Sequence, residues 1–143
     1  MTTEVSLVER THAHMRKILL LLAVLSCSRA ISEPSDVAPG HEVDLRAGQS
    51  AQVSNTSVAV TFDGANDSRC PSDVTCVWAG EALIRLRLSG AGADRTDTVK
   101  INAQPRATTY GGYRFEVVSL LPYPVSTAMN ATQTLRIAVS AAP

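Results

Sequence analysis

Aromatic side chains are scarce: one Trp, three Tyr and two Phe make up 4% of the 143 residues. That is poor material for base-stacking platforms or for carbohydrate-stacking surfaces. Neither sign of charge is in excess, with 13 basic and 13 acidic side chains, and a nucleic-acid partner, which asks for a clear basic surplus, is not expected. Histidine is nearly missing, since His12 and His14 precede the first basic pair and only His41 follows it. A Ser-His-Asp or Cys-His centre therefore has one base to draw on, and His41 lies beside a segment that reads as tether. No G-x-S-x-G, H-E-x-x-H, Walker or dinucleotide glycine pattern occurs. The longest apolar run, Ile18 to Leu25, has eight residues, against about 20 for a span of the bilayer core. The length suits one domain, and 45% apolar residues are enough to build its core.

What the chain does have begins at Arg16-Lys17, followed by Ile18–Leu25, Ser26 and Cys27. A basic pair, a short apolar core and a small residue are the layout of a secretory signal. Its ending, Val24-Leu25-Ser26-Cys27, resembles the lipobox of bacterial lipoproteins. The resemblance implies that the Cys27 thiol receives a diacylglyceryl group, that cleavage falls before Cys27, and that membrane lipid is a partner through the acylated residue. Each buried methylene of the acyl chains would add about 0.8 kcal/mol of anchoring. By the same resemblance Ser28, in place of an Asp, points to the outer membrane, with the protein facing periplasm or surface. Met15 is an alternative start, which would leave residues 1–14 upstream of the protein. The expected organisation is a signal over 1–26, a lipidated tether over 27–40, rich in Ser, Ala and Pro, and a domain over 41–143.

Past Gly40 the apolar residues alternate. Val43 and Leu45 do so in 41–47, Val58, Val60 and Phe62 in 57–63, and Ala82, Ile84, Leu86 and Leu88 in 81–89. Val99 and Ile101, then Tyr113, Phe115 and Val117, then Leu135, Ile137 and Val139 continue the pattern. Period two marks half-buried antiparallel strands. Six such segments, with a seventh at Ser50–Val53, are divided by glycine- and proline-rich turns. They predict an all-β antiparallel sandwich, immunoglobulin-like, or a small barrel. The adjoining Val117 and Val118, with Leu120 continuing in the other parity, predict a bulge.

The segment from Asp67 to Gly80 holds the other two cysteines and the sole tryptophan. In an exported chain Cys70 and Cys76 are expected to pair. Zinc wants about four ligands, and a redox pair ordinarily has two residues between its cysteines rather than five, so a structural disulfide is favoured and neither metal nor cofactor is expected. Pro71 and Asp73 stiffen the turn. Asp67 is read as a cap for turn amides and Arg69 as its partner or that of a nearby carbonyl. Trp78 is expected to pack on the disulfide or plug the end of the sandwich, its indole N–H on a backbone carbonyl. Gly80 supplies the turn into the next strand.

The block resembles a pattern in small exported bacterial proteins of unknown function, D-S-R-C-P-x-x-V-x-C-x-W-x-G followed by a strand. A second piece, matched here by Tyr113 to Pro124, lies further on. The resemblance covers about residues 42–140 and implies a secreted β-domain; it supplies no activity and no catalytic residue.

Two weaker groupings are also present. Asp63, Asn66, Asp67 and Asp73 offer oxygens for a calcium site, with turn capping the simpler reading. Arg85, Arg87, Lys100, Arg114 and Arg136 could share one outer sheet face that meets anionic polysaccharide or lipid, with a solvated face as the alternative. The expectation is a lipid-anchored, non-enzymatic binding or structural module of the cell envelope, meeting an envelope protein or polysaccharide. The alternatives are a small envelope hydrolase working through carboxylates and a protease-inhibitor-like sandwich.

Overall fold

The computed structural model describes residues 33–128 and 131–143. They form nine strands: β1 (Ser35–Val37), β2 (Glu42–Arg46), β3 (Ser50–Val53), β4 (Ala59–Asp67), β5 (Ala82–Ser89), β6 (Arg95–Lys100), β7 (Ala107–Tyr110), β8 (Tyr113–Leu121) and β9 (Thr134–Ala141). One sheet has the order β1-β3-β4-β5-β6 and the other β2-β9-β8-β7. Both bury their inner faces in one core. The result is the all-β sandwich that the alternation predicts, and among the described residues neither sheet closes into a barrel and there is no helix.

Strand β5 shows why these residues form these elements. Ala82, Ile84, Leu86 and Leu88 are fully buried, whereas Arg85 and Arg87 point to solvent. Across the sandwich, Leu45 of β2, Phe115, Val117 and Leu120 of β8, and Leu135, Ile137 and Val139 of β9 supply the opposing layer. Each large side chain removed from water contributes about 1.5–3 kcal/mol before the entropy of ordering it is subtracted.

Two bulges set the inward parity at one end. On β8 the pairing with β9 passes from Val117–Ile137 to Ser119–Arg136, so Val118 is the extra residue and Leu120 returns to the core opposite Leu135. This is the bulge read from the sequence. On β4 the pairing with β5 passes from Phe62–Leu86 to Gly64–Arg85. Asp63 is the extra residue there, and Gly64 takes a φ of 131°. Without that step Asp67 would face solvent; with it, Asp67 lies opposite the buried Ala82 on the core side.

Three expectations are corrected. The stretch 28–40 is not tether throughout, because Ser35–Val37 pairs in parallel with β3 and Val37 is buried. A second additional strand, β7, pairs with β8. The five cations do not share a face: Arg85, Arg87 and Lys100 belong to the five-stranded sheet, Arg114 and Arg136 to the four-stranded one. Arg87 pairs with Asp63, Lys100 with Glu81, Arg114 with Glu116, and Arg136 with Asp44 and Glu42. Strong Arg136 hydrogen bonds hold the Asp44 carboxyl below the usual range.

Candidate functional site

The connections β4–β5 and β8–β9 leave the two sheets at the same end of the sandwich. The first continues the β4–β5 ladder outward, with Ser68 N–H donating to the Glu81 carbonyl at 2.8 Å and Cys70 N–H to that of Ala79 at 2.9 Å. Cys70 and Cys76 form a disulfide with Cα atoms 5.9 Å apart, which closes the tip upon itself. Gly80 turns the chain back with a φ of 66°, and a Cβ there would meet the Ser68 carbonyl oxygen at 1.9 Å. Asn102 also donates to the Gly80 carbonyl, at 3.0 Å.

Beneath the tip lies an ion pair. The Arg69 Nε donates to Asp67 Oδ1 at 2.8 Å and Nη2 to Oδ2 at 2.6 Å, while the Arg69 amide donates to Oδ1 at 3.2 Å. The two side chains are only 6% and 5% exposed. Nη2 also reaches across the sandwich to the Leu120 carbonyl at 3.1 Å, and the guanidinium carbon sits 4.4 Å from the centre of the Tyr123 ring. Gln133 Nε2 donates to Asp67 Oδ2 at 3.4 Å. Burial by itself would raise the Asp67 pKa, but the Arg69 side-chain and amide hydrogen bonds and the Arg69 charge together outweigh it and hold the carboxyl below its ordinary value. Asp67 and Arg69 thus behave as the sequence predicts, and the pair ties the two sheets together.

A second set of bonds fixes the tip to the segment after β8. Ser72 N–H donates to the Pro124 carbonyl at 2.9 Å, and Pro124 is itself buried. Asp73 accepts from the Ser126 amide at 2.8 Å and the Ser126 hydroxyl at 2.5 Å. The hydroxyl and then the amide hydrogen bond lower the Asp73 pKa. Asp73 therefore clamps a neighbouring segment, a role beyond stiffening its own turn.

Trp78 departs from expectation. It neither plugs the sandwich nor packs away from water: it is 81% exposed and its neighbour Val77 is 90% exposed. The physical reason is that the end of the core is already filled by Leu120, Pro124 and the Arg69–Asp67 pair, and the tip projects beyond both sheets. Among the described residues, the large hydrophobic side chains that are exposed are Val74, Val77, Trp78, Leu121 and Tyr123. Val74, Val77 and Trp78 lie on the tip, Leu121 is the last residue of β8 and Tyr123 lies just after it. The sequence signals a stiff loop here but not an exposed apolar one.

The four oxygen-bearing residues do not assemble into a calcium site. Asp63 is held by Arg87, Asp67 by Arg69 and Asp73 by Ser126, and no three His, Cys, Asp or Glu side chains gather among the described residues. His41 is exposed just before β2. A shallow groove between β6 and β7 is lined by Thr96, Thr98, Lys100, Pro105 and Thr108, but it is open and its Asp97 is engaged by Arg95 and Thr108. The Cys27 expectation, with the signal and Ser28, lies outside the described residues. No known family, curated protein or solved structure matches this chain.

Proposed function

We propose that the protein is an exported, lipid-anchored component of the cell envelope, held through Cys27, whose sandwich acts as a non-enzymatic binding module. The arrangement of Arg16-Lys17, Ile18–Leu25 and Cys27 supports the anchor, and Ser28 favours the outer membrane, facing periplasm or surface. The observation that carries the binding role is the collection of Val74, Val77, Trp78, Leu121 and Tyr123 at one end. Solvent-facing apolar groups gathered in one place mark a contact surface more often than scattered ones do. Here Val74, Val77 and Trp78 ride on a tip made stiff by the disulfide, the Asp73 clamp and the buried ion pair. A preordered surface loses little freedom on contact. The acids nearby are consumed in that scaffold, which favours binding over carboxylate catalysis.

Two measurements test this. Fatty-acid labelling in cells should mark the wild type and not Cys27→Ser; equal labelling overturns the anchor. A photo-crosslinking residue placed at Val77 should form adducts in the envelope, whereas one at Arg85 on the sheet face should not. Absent or equal adducts overturn the binding surface.

A further inference from the structure

We infer that the free edge of β6 is a second binding surface, where an extended segment of another protein adds as a further strand of the five-stranded sheet. The inference depends neither on Cys27 nor on the tip. β6 ends its sheet and pairs only with β5. Ile101 N–H donates to the Ala82 carbonyl at 3.1 Å, and the register then sets Val99 beside Ile84 and Asp97 beside Leu86. Bonded pairs alternate along an antiparallel ladder, so Asp97 and Val99 turn their backbone groups to β5, while Thr96, Thr98 and Lys100 turn theirs away from it. The Lys100 carbonyl accepts from the Ala103 N–H at 3.3 Å. Among the described residues, the N–H and C=O groups of Thr96 and Thr98 and the N–H of Lys100 have no backbone partner.

Such groups, repeated every second residue at about 6.8 Å, match the backbone of another strand, which carries the same groups at the same repeat. Sheet edges are commonly guarded by shortness, a proline, a bulge or a charge turned inward. β6 has six residues, no proline and no shift in its pairing with β5. Its inward acid, Asp97, is already engaged by Arg95 and Thr108. The other edges are less open: β1 has three residues and β7 four, and β2 presents the exposed carboxylates of Glu42 and Asp44.

Beside β6 runs the groove shared with β7, a space of about 470 Å³. Side chains on the inner side of an added strand enter it near Val99, against Ala103, Pro105 and Ala107, which are uncharged. Those on the outer side lie beside Thr96, Thr98 and Lys100, where a polar or acidic group fits. The occupant is therefore a segment that alternates apolar residues with polar or acidic ones. Arg85 of β5, two strand spacings away, stays about 10 Å from it, so that part of the sheet face remains uncovered.

The probe is a short blocked peptide in which Val alternates with Thr and both ends are Glu, added to the isotope-labelled full chain in detergent. Exchange of the Thr96 and Thr98 amides with solvent should slow at least about tenfold, while Asp97 and Val99, already bonded to β5, should change little. The same peptide N-methylated on its Thr residues keeps its side chains but loses the donors that face β6, and it should give no protection. Thr98→Pro, which removes an outward N–H and no bond to β5, should weaken binding about tenfold. Unchanged exchange at millimolar peptide overturns the inference. Equal protection by the N-methylated peptide overturns it too, since the contact would then be through side chains alone. Thr96 and Thr98 protected without peptide, in a chain that sediments as a dimer, assign the edge to a second copy and likewise overturn it.

Discussion

Removing the guanidinium of Arg69 while keeping its bulk, as Arg69→Met, should be among the most damaging single changes in this domain. The variant loses both bonds to Asp67, the bond to the Leu120 carbonyl and the contact with the Tyr123 ring. Asp67 is then left on the core side with its carboxylate unanswered. Breaking one half of a buried pair costs about 3–5 kcal/mol, a large part of the roughly 5–15 kcal/mol that holds a domain folded. With a urea dependence of about 1.5 kcal/mol per molar, the unfolding midpoint should fall by about 2–3 M. The pH dependence separates this mechanism from simple loss of packing. In the wild type the folded Asp67 pKa lies below its unfolded value, so the pair's contribution is full above the unfolded value near 4 and is lost as pH falls through the folded one. In Arg69→Met, burial is unopposed and raises the folded pKa, so acidification relieves the variant. The gap between the two proteins should therefore narrow from pH 7 toward pH 3. Asp67→Leu combined with Arg69→Met should recover most of the loss. A midpoint within about 0.5 M of wild type, for a change worth less than about 1 kcal/mol, would refute the reasoning, as would a gap that is constant with pH.

Trp78→Ser should leave thermal stability within about 0.5 kcal/mol, because the ring is exposed; a large drop in melting temperature would mean that it packs after all. Gly80→Ala should cost more than the about 1–2 kcal/mol of a left-handed backbone, since its Cβ would strike the Ser68 carbonyl; chemical denaturation reads this, and a neutral result would place the turn elsewhere. Opening the disulfide as Cys70→Ala with Cys76→Ala should cost about 2 kcal/mol by the chain-entropy argument for so short a loop. Calorimetry checks that value, and mass spectrometry of the unreduced wild type should find no free thiol at either position.

Much of the sandwich was legible because its strands are long enough to alternate. β5 buries four alternate residues, Ala82 to Leu88, and β9 three, Leu135 to Val139, and that period has no other simple explanation. β1 and β7 were not legible for the opposite reason. Three and four residues long, each buries a single side chain, Val37 and Tyr110, and what places them is the edge they meet rather than a pattern of their own. The disulfide and the Asp67–Arg69 pair were legible from spacing and residue chemistry. The depth of that pair was not, because it depends on the extra residue at Asp63, whose effect exists only in the register with β5. Trp78 was misread by the rule that a large apolar ring goes inside. The rule gives way where a covalently closed tip extends past the last layer of core.

The way the chain joins β1 bears on how the domain carries tension. β1 is held to β3 over three residues, with Ser54 N–H donating to the Val37 carbonyl at 2.9 Å and the Val37 side chain sunk in the core. A pull transmitted through Glu33 runs along the axis of β1, so the ladder bonds share the load in shear and do not open one after another. Giving way would also drag Val37 out of the core and bare the edge of β3. β1 is thus a coupling that takes load into the sandwich through β3. Its release would free a few more residues of chain while the remaining eight strands kept their pairing.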